Sequence, residues 1–183
     1  MQIIETALSG VKRVIPGRHG DNRGWFSEVY RADRLAQAGI ANLFVQDNQS
    51  FSAPAGTLRG LHFQTPPAAQ AKLVRVLAGA ILDVAVDIRR SSPTFGKYVA
   101  VRLDAEGGEQ LFVPHGFAHG FCTLEPNTMV AYKVDAYYSP AHDRAIAWND
   151  PEIGISWPVG EAEASLSAKD RAAPRLADAP ELF

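Results

Sequence analysis

Five residues of this chain stand out as candidates for proton chemistry: His62, His119, Lys72, Tyr132 and Asp170. His62 closes Gly56-Thr57-Leu58-Arg59-Gly60-Leu61-His62, with the spacing G-x5-H. His119 closes the run from Gly108 to His119, with the spacing G-x5-P-x-G-x2-H. An imidazole titrates near neutral pH and serves as general base or metal ligand; on an apolar strand face it also occurs as a satisfied core residue. The metal reading is poor. His62, His119 and Gln64 make a weak ligand set, and catalytic metals usually take about three good protein ligands. His119 lies near Cys122 in sequence, but no second cysteine accompanies them. Proton transfer is the better reading of the two histidines.

The partners of such a base are also present. Lys72 is either a solvated strand-end lysine or a cation facing the cavity, where it would stabilise charge on a substrate oxygen. Tyr132 is either a buried structural phenol or an acid supplying a proton from the side opposite the base. Tyr138 is a second phenol close by. Asp170, in Leu166-Ser167-Ala168-Lys169-Asp170, is either a surface helix residue or a carboxylate that orients His62. Arg23, Arg59 and Lys169 are candidates for an anion, a diphosphate above all, because the guanidinium fork suits phosphate. On a regular strand Arg59 and His62 fall on opposite faces; a bulge at Gly60 would give them a common direction.

The elements that must hold these residues are mostly strands. Leu82, Val84, Val86 and Ile88 alternate with Asp83, Ala85 and Asp87, which predicts a half-buried strand. Val99, Val101 and Leu103 alternate in the same way. Val130, Tyr132 and Val134 share a face opposite Met129, Ala131 and Lys133, and that face should point inward. Gly79, Gly96 and Gly107-Gly108 punctuate the runs as turns. Short helices are expected over Ala32–Ala38 and Ser165–Ala172. A long N-terminal edge strand is expected, able to pair with another subunit. The sum is a β-rich jelly roll with peripheral helices.

The 183 residues suit one domain, 1–183. The formal net charge of -2 offers no basic footprint for nucleic acid. No apolar run approaches the ~20 residues of a membrane span. Cys122 is the only cysteine, which fits a reducing compartment, and no signal-peptide pattern is evident, so cytoplasmic residence is expected.

The two histidine segments resemble the paired signatures of a cupin barrel. In metal-binding cupins the first segment continues to a second His and a Glu; here Gln64 holds the second position and no Glu lies between Thr65 and Lys72. Asp21-Asn22-Arg23-Gly24-Trp25-Phe26, Gln46-Asp47-Asn48, Leu58 to Gln64, Val113 to Phe121, Tyr132 to Pro140 and Leu166 to Asp170 follow in order. Over nearly its whole length the chain resembles the dTDP-4-dehydrorhamnose 3,5-epimerases. That resemblance implies a homodimeric jelly roll needing no metal or cofactor. It implies a dTDP-linked 4-keto-6-deoxysugar as substrate and a place in dTDP-L-rhamnose synthesis. His62 would be the proton acceptor, Tyr132 the donor, Asp170 the partner of His62, and Lys72 the group at the enolate oxygen. Arg23, Glu28, Gln46, Asp47, Asn48, Arg59, His119, Tyr138, Asp143 and Lys169 would contact the nucleotide sugar; Asp143 stands where relatives often carry Glu. The competing expectations are an epimerase acting at C3 or C5 alone, a silent nucleotide-sugar binding module, and a metal-dependent cupin.

Overall fold

The computed structural model describes residues 1–180 and 182–183. Strands β1 (Gln2–Glu5) and β2 (Lys12–Ile15) are followed by a hairpin of β3 (Arg18–Asp21) and β4 (Gly24–Ser27), then helix α1 (Ala32–Gln37). Next come β5 (Gln46–Ser52), β6 (Leu58–Gln64), β7 (Lys72–Ala78), β8 (Ala80–Asp87) and β9 (Tyr98–Asp104). The chain continues through β10 (Gln110–Val113), β11 (Phe117–Thr123), β12 (Thr128–Val134) and β13 (Asp143–Ala145) to the single-turn helix α2 (Ala168–Arg171).

Two antiparallel sheets face each other as a cupin-like jelly roll. One has the order β1-β2-β10-β7-β12-β5 and the other β13-β6-β11-β8-β9. Val74, Val76, Leu111 and Val130 of the first sheet pack against Ile81, Ala85, Phe117 and Phe121 of the second. This apolar layer fills one end of the sandwich and leaves the other end for polar side chains. Among the described residues, no helix is long and apolar enough to cross a membrane.

Several elements differ from expectation. The N-terminal edge strand is short, because β1 runs for four residues only. The strand around Leu82–Ile88 is buried on both faces rather than one. Val84, Val86 and Ile88 pack against Ile153 and Leu176 of the C-terminal stretch, which covers the outside of the sheet. Asp83 and Asp87, on the opposite face with Ala85, are buried as well. The second helix is also shorter than Ser165–Ala172. Ser165 is drawn into a parallel bridge with Thr57, and the helix starts only after its cap, Ser167. The first helix matches expectation, ending at Ala38.

Candidate active site

Two facing walls form the site. On the six-stranded sheet Asn48 lies opposite Tyr132, and Tyr132 opposite Val74. Gln46 lies opposite Val134, and Val134 opposite Lys72. Side chains alternate along a strand, so Gln46, Asn48, Lys72 and Tyr132 share the inward face with Val74 and Val130. On the five-stranded sheet His62 pairs directly with His119, and Arg59 with Phe121. Three steps along β6 therefore match two along β11, which places a bulge at Gly60. Gly60 has φ +135°, and a Cβ there would lie 2.5 Å from Gly120 Cα. Only glycine permits that approach. The bulge turns Arg59 and His62 into one cavity, which resolves their parity conflict.

The cavity has two lobes of about 260 Å³ each, and His62, Lys72 and Tyr132 line both. His62 Nε2 is 2.5 Å from Asp170 Oδ1. Helix α2 delivers that carboxylate: Ser167 Oγ accepts from the Asp170 backbone N–H and donates to Asp170 Oδ2 at 2.8 Å. Burial pushes the Asp170 carboxyl upward, but hydrogen bonds from His62, Ser167 and the Gly60 backbone outweigh it and hold it below the ordinary carboxylate range. Asp170 therefore stays ionised, and a neutral His62 ring that donates to it from Nε2 would leave Nδ1 as the acceptor.

Lys72 is only 8% exposed. Burial lowers its ammonium to about 8, against the opposing pull of Asp83 and Asp143. Its Nζ donates to the His62 carbonyl at 3.2 Å. Burial pushes the Tyr132 phenol up, so it holds its proton at neutral pH. Burial pushes His119 down against Asp83, whose Oδ1 lies 2.8 Å from His119 Nε2. The arrangement is a carboxylate-held imidazole on one wall, a protonated phenol on the other, and an ammonium beside both.

Eleven of the expected residues meet here: Gln46, Asn48, Arg59, His62, Lys72, His119, Tyr132, Tyr138, Asp143, Lys169 and Asp170. Asp143 accepts from Tyr138 Oη at 3.2 Å and pairs closely with Lys169. Three residues stand elsewhere in this chain. Asp47 points outward, as period-two alternation requires, and pairs with Lys133 at 2.8 Å. Arg23 sits exposed at the tip of the β3–β4 hairpin and pairs with Asp21. Glu28, just beyond that hairpin, lies 3.7 Å from Arg31. Sequence reasoning missed Asp83, Ser167 and Ser50, whose buried hydroxyl has no partner among the described residues. The signal for Ser50 was the wholly polar inward row Gln46, Asn48, Ser50, Ser52. Gln64, at the usual metal-ligand position, is occupied by hydrogen bonds to the 137–139 backbone. Among the described residues, no three His, Cys, Asp or Glu side chains gather as a ligand group.

The family model described as dTDP-4-dehydrorhamnose 3,5-epimerase matches residues 5–178. The chain belongs to this epimerase family. It is 51% identical over 178 residues to the dTDP-4-dehydrorhamnose 3,5-epimerase of Sinorhizobium fredii, covering 97% of this chain and 90% of that one. The crystal structure of the Bacillus anthracis epimerase with TDP and PPi bound superposes with a TM-score of 0.92 at 52% identity, covering 95% of this chain and 98% of that one. The Legionella pneumophila dTDP-6-deoxy-D-glucose-3,5-epimerase, solved with dTDP-4-keto-L-rhamnose, gives 0.91 at 47% identity, covering 96% and 93%. Like these relatives, the chain is an isomerase of the epimerase type.

Proposed function

We propose that this protein converts dTDP-4-dehydro-6-deoxy-D-glucose to dTDP-4-dehydro-L-rhamnose in dTDP-L-rhamnose synthesis, by inverting C3 and C5. One observation carries the reading: His62 with its carboxylate partner and protonated Tyr132 come from facing walls of one cavity, with the Lys72 ammonium beside both. Carbons 3 and 5 flank the C4 ketone, so their protons are acidic. His62 Nδ1 takes the proton, and the C–H electron pair moves onto the C4 oxygen as an enolate. The Lys72 ammonium stabilises that oxygen. The Tyr132 hydroxyl then delivers a proton to the carbon from the other face, and exchange with solvent resets both groups. The same cycle serves the second carbon. No electrons leave the substrate, so the steps balance without an oxidant. The ligands of the B. anthracis and L. pneumophila proteins support a dTDP-linked substrate.

The protein acts as a homodimer in this reading. Arg23 and Glu28 stand outside the cavity of their own chain, while Trp25 and Phe26 on the same hairpin are 60% and 66% exposed. A second copy gives those aromatic side chains a surface and brings Arg23 and Glu28 toward a site that lacks them. Mixing Arg23→Ala with His62→Ala tests this: each heterodimer regains one complete site, so activity returns. Continued silence of the mixture refutes shared sites. The free, buried Cys122 fits a cytoplasmic setting.

The reaction itself is tested in D₂O with a coupled reductase. Deuterium is expected at both C3 and C5 of the product, and His62→Ala is expected to be inactive yet folded. Label at one carbon only would reduce the assignment to a mono-epimerase. Nucleotide binding without turnover would leave a binding module.

A further inference from the structure

Residues 135–142 link β12 to β13 without strand or helix. Their backbone groups lack a ladder, and buried backbone groups must find partners elsewhere. Three glutamine side chains supply them. Gln70 Nε2 donates to the Ala136 carbonyl at 2.8 Å. Gln46 Oε1 accepts from the Tyr138 N–H at 3.1 Å. Gln64 Oε1 accepts from the Ser139 N–H at 2.7 Å, while its Nε2 donates to the carbonyls of Ala68 at 2.7 Å and Tyr137 at 3.3 Å. The amide of Gln64 has only one consistent orientation. A flip would set its oxygen against two carbonyls and its NH₂ against an N–H.

The loop so held presents one large side chain to the cavity. Tyr138 lines the lobe with Lys169 and Asp143, yet the residue is 57% exposed. Exposed rings ordinarily move. This one is tied at both ends: the glutamines fix its backbone, and Asp143 accepts from its hydroxyl. Gln64, by contrast, is only 4% exposed beneath the loop.

We propose that Gln64 and Gln70 are positioning residues that, with Gln46, fix Tyr138 as a preformed wall of the nucleotide-sugar pocket. The inference rests on the epimerase reading of that pocket. At the position where a metal cupin carries a histidine ligand, this chain uses an amide to set substrate affinity. Preorganisation lowers the ordering cost of binding and so acts on KM. The chemical groups on the two walls are untouched.

Gln64→Met keeps length and bulk while removing all three hydrogen bonds. KM should rise about 5- to 30-fold, the factor expected for one or two lost or stranded buried hydrogen bonds. The kcat should stay within about threefold, and exchange of the Tyr138 and Ser139 amides with deuterium should accelerate. In a Tyr138→Ala background the same substitution should change KM less than about twofold, because coupled residues are non-additive. Equal effects in both backgrounds would show that Gln64 acts on the pocket directly and would overturn the proposal. So would unchanged amide exchange. Should Gln64→Met fail to fold, Gln70→Met, which loses only the Ala136 contact, carries the same readouts. Absence of wild-type turnover would refute the epimerase reading alone, since amide exchange reports the clamp without catalysis.

Discussion

Replacing Lys72 by Met should stabilise the protein and disable it. Burial takes the ammonium from its ordinary 10.5 to about 8. At about 1.4 kcal/mol per pH unit, holding the charge inside costs about 3 kcal/mol below pH 8. Met fills similar space without the charge. It also loses the bond to the His62 carbonyl, worth about 1 kcal/mol. The net gain is about 2 kcal/mol near pH 7, or roughly 4–8 °C in Tm for a chain of this size. The pH dependence has a definite sign. Folded Lys72 releases its proton near 8 and the unfolded chain near 10.5, so between those values the unfolded state binds more protons. Wild-type stability from this group therefore rises with pH across that window. The advantage of the variant is full below pH 8 and gone above 10.5. Turnover should fall by about 10²–10³, as for loss of an oxyanion-stabilising group. Urea unfolding from pH 6.5 to 10.5, with a coupled reductase assay on the same samples, measures both. A variant that is less stable at pH 7, or a stability difference independent of pH, would refute the burial argument. Retained turnover would refute the catalytic one.

Tyr132→Phe should cut epimerised product by about 10²–10⁴ while His62 still exchanges substrate protons with D₂O without inversion; a variant with neither exchange nor product would remove Tyr132 from the donor role. Asp170→Asn should lower kcat by about 10²-fold or more, since the ring of His62 loses its orienting carboxylate. The stability that Asp170 lends is present above about pH 4 and is lost as pH falls through its lowered folded value, so thermal melts of variant and wild type should converge in acid. Gly60→Ala should destabilise by about 3 kcal/mol, because its Cβ meets the Gly120 backbone and the residue keeps a positive φ; a urea midpoint unchanged from wild type would remove the bulge argument.

What could be read in advance followed local periodicity. The inward face of β12 was legible because one side of that strand meets the cavity and core while the other carries Met129, Ala131 and Lys133. The same rule failed for β8. There a second layer, the C-terminal stretch, covers the apolar face, and two aspartates turn inward to serve other side chains. No local pattern announces such a layer. The bulge at Gly60 was legible as a question, since two useful residues sat on opposite parities around a glycine. Its answer depends on how close β11 approaches. The outward direction of Asp47 could have been read from alternation alone, as the inward residues Gln46 and Asn48 flank it. Arg23 and Glu28 were named by resemblance, and only the path of the hairpin reveals that they stand apart from their own cavity.

The two halves of the His62–Asp170 pair are separated by 108 positions along the chain. A polypeptide emerging from the ribosome therefore presents its imidazole long before the carboxylate exists. Both sheets are nearly finished while the single turn that carries Asp170 is still untranslated. A chain cut before Ser167 would lack the orienting carboxylate and also Leu176 and Ala179, which cover the outside of β8. The base is thus oriented by a segment translated after every strand of both sheets, which ties turnover to the docking of that late segment.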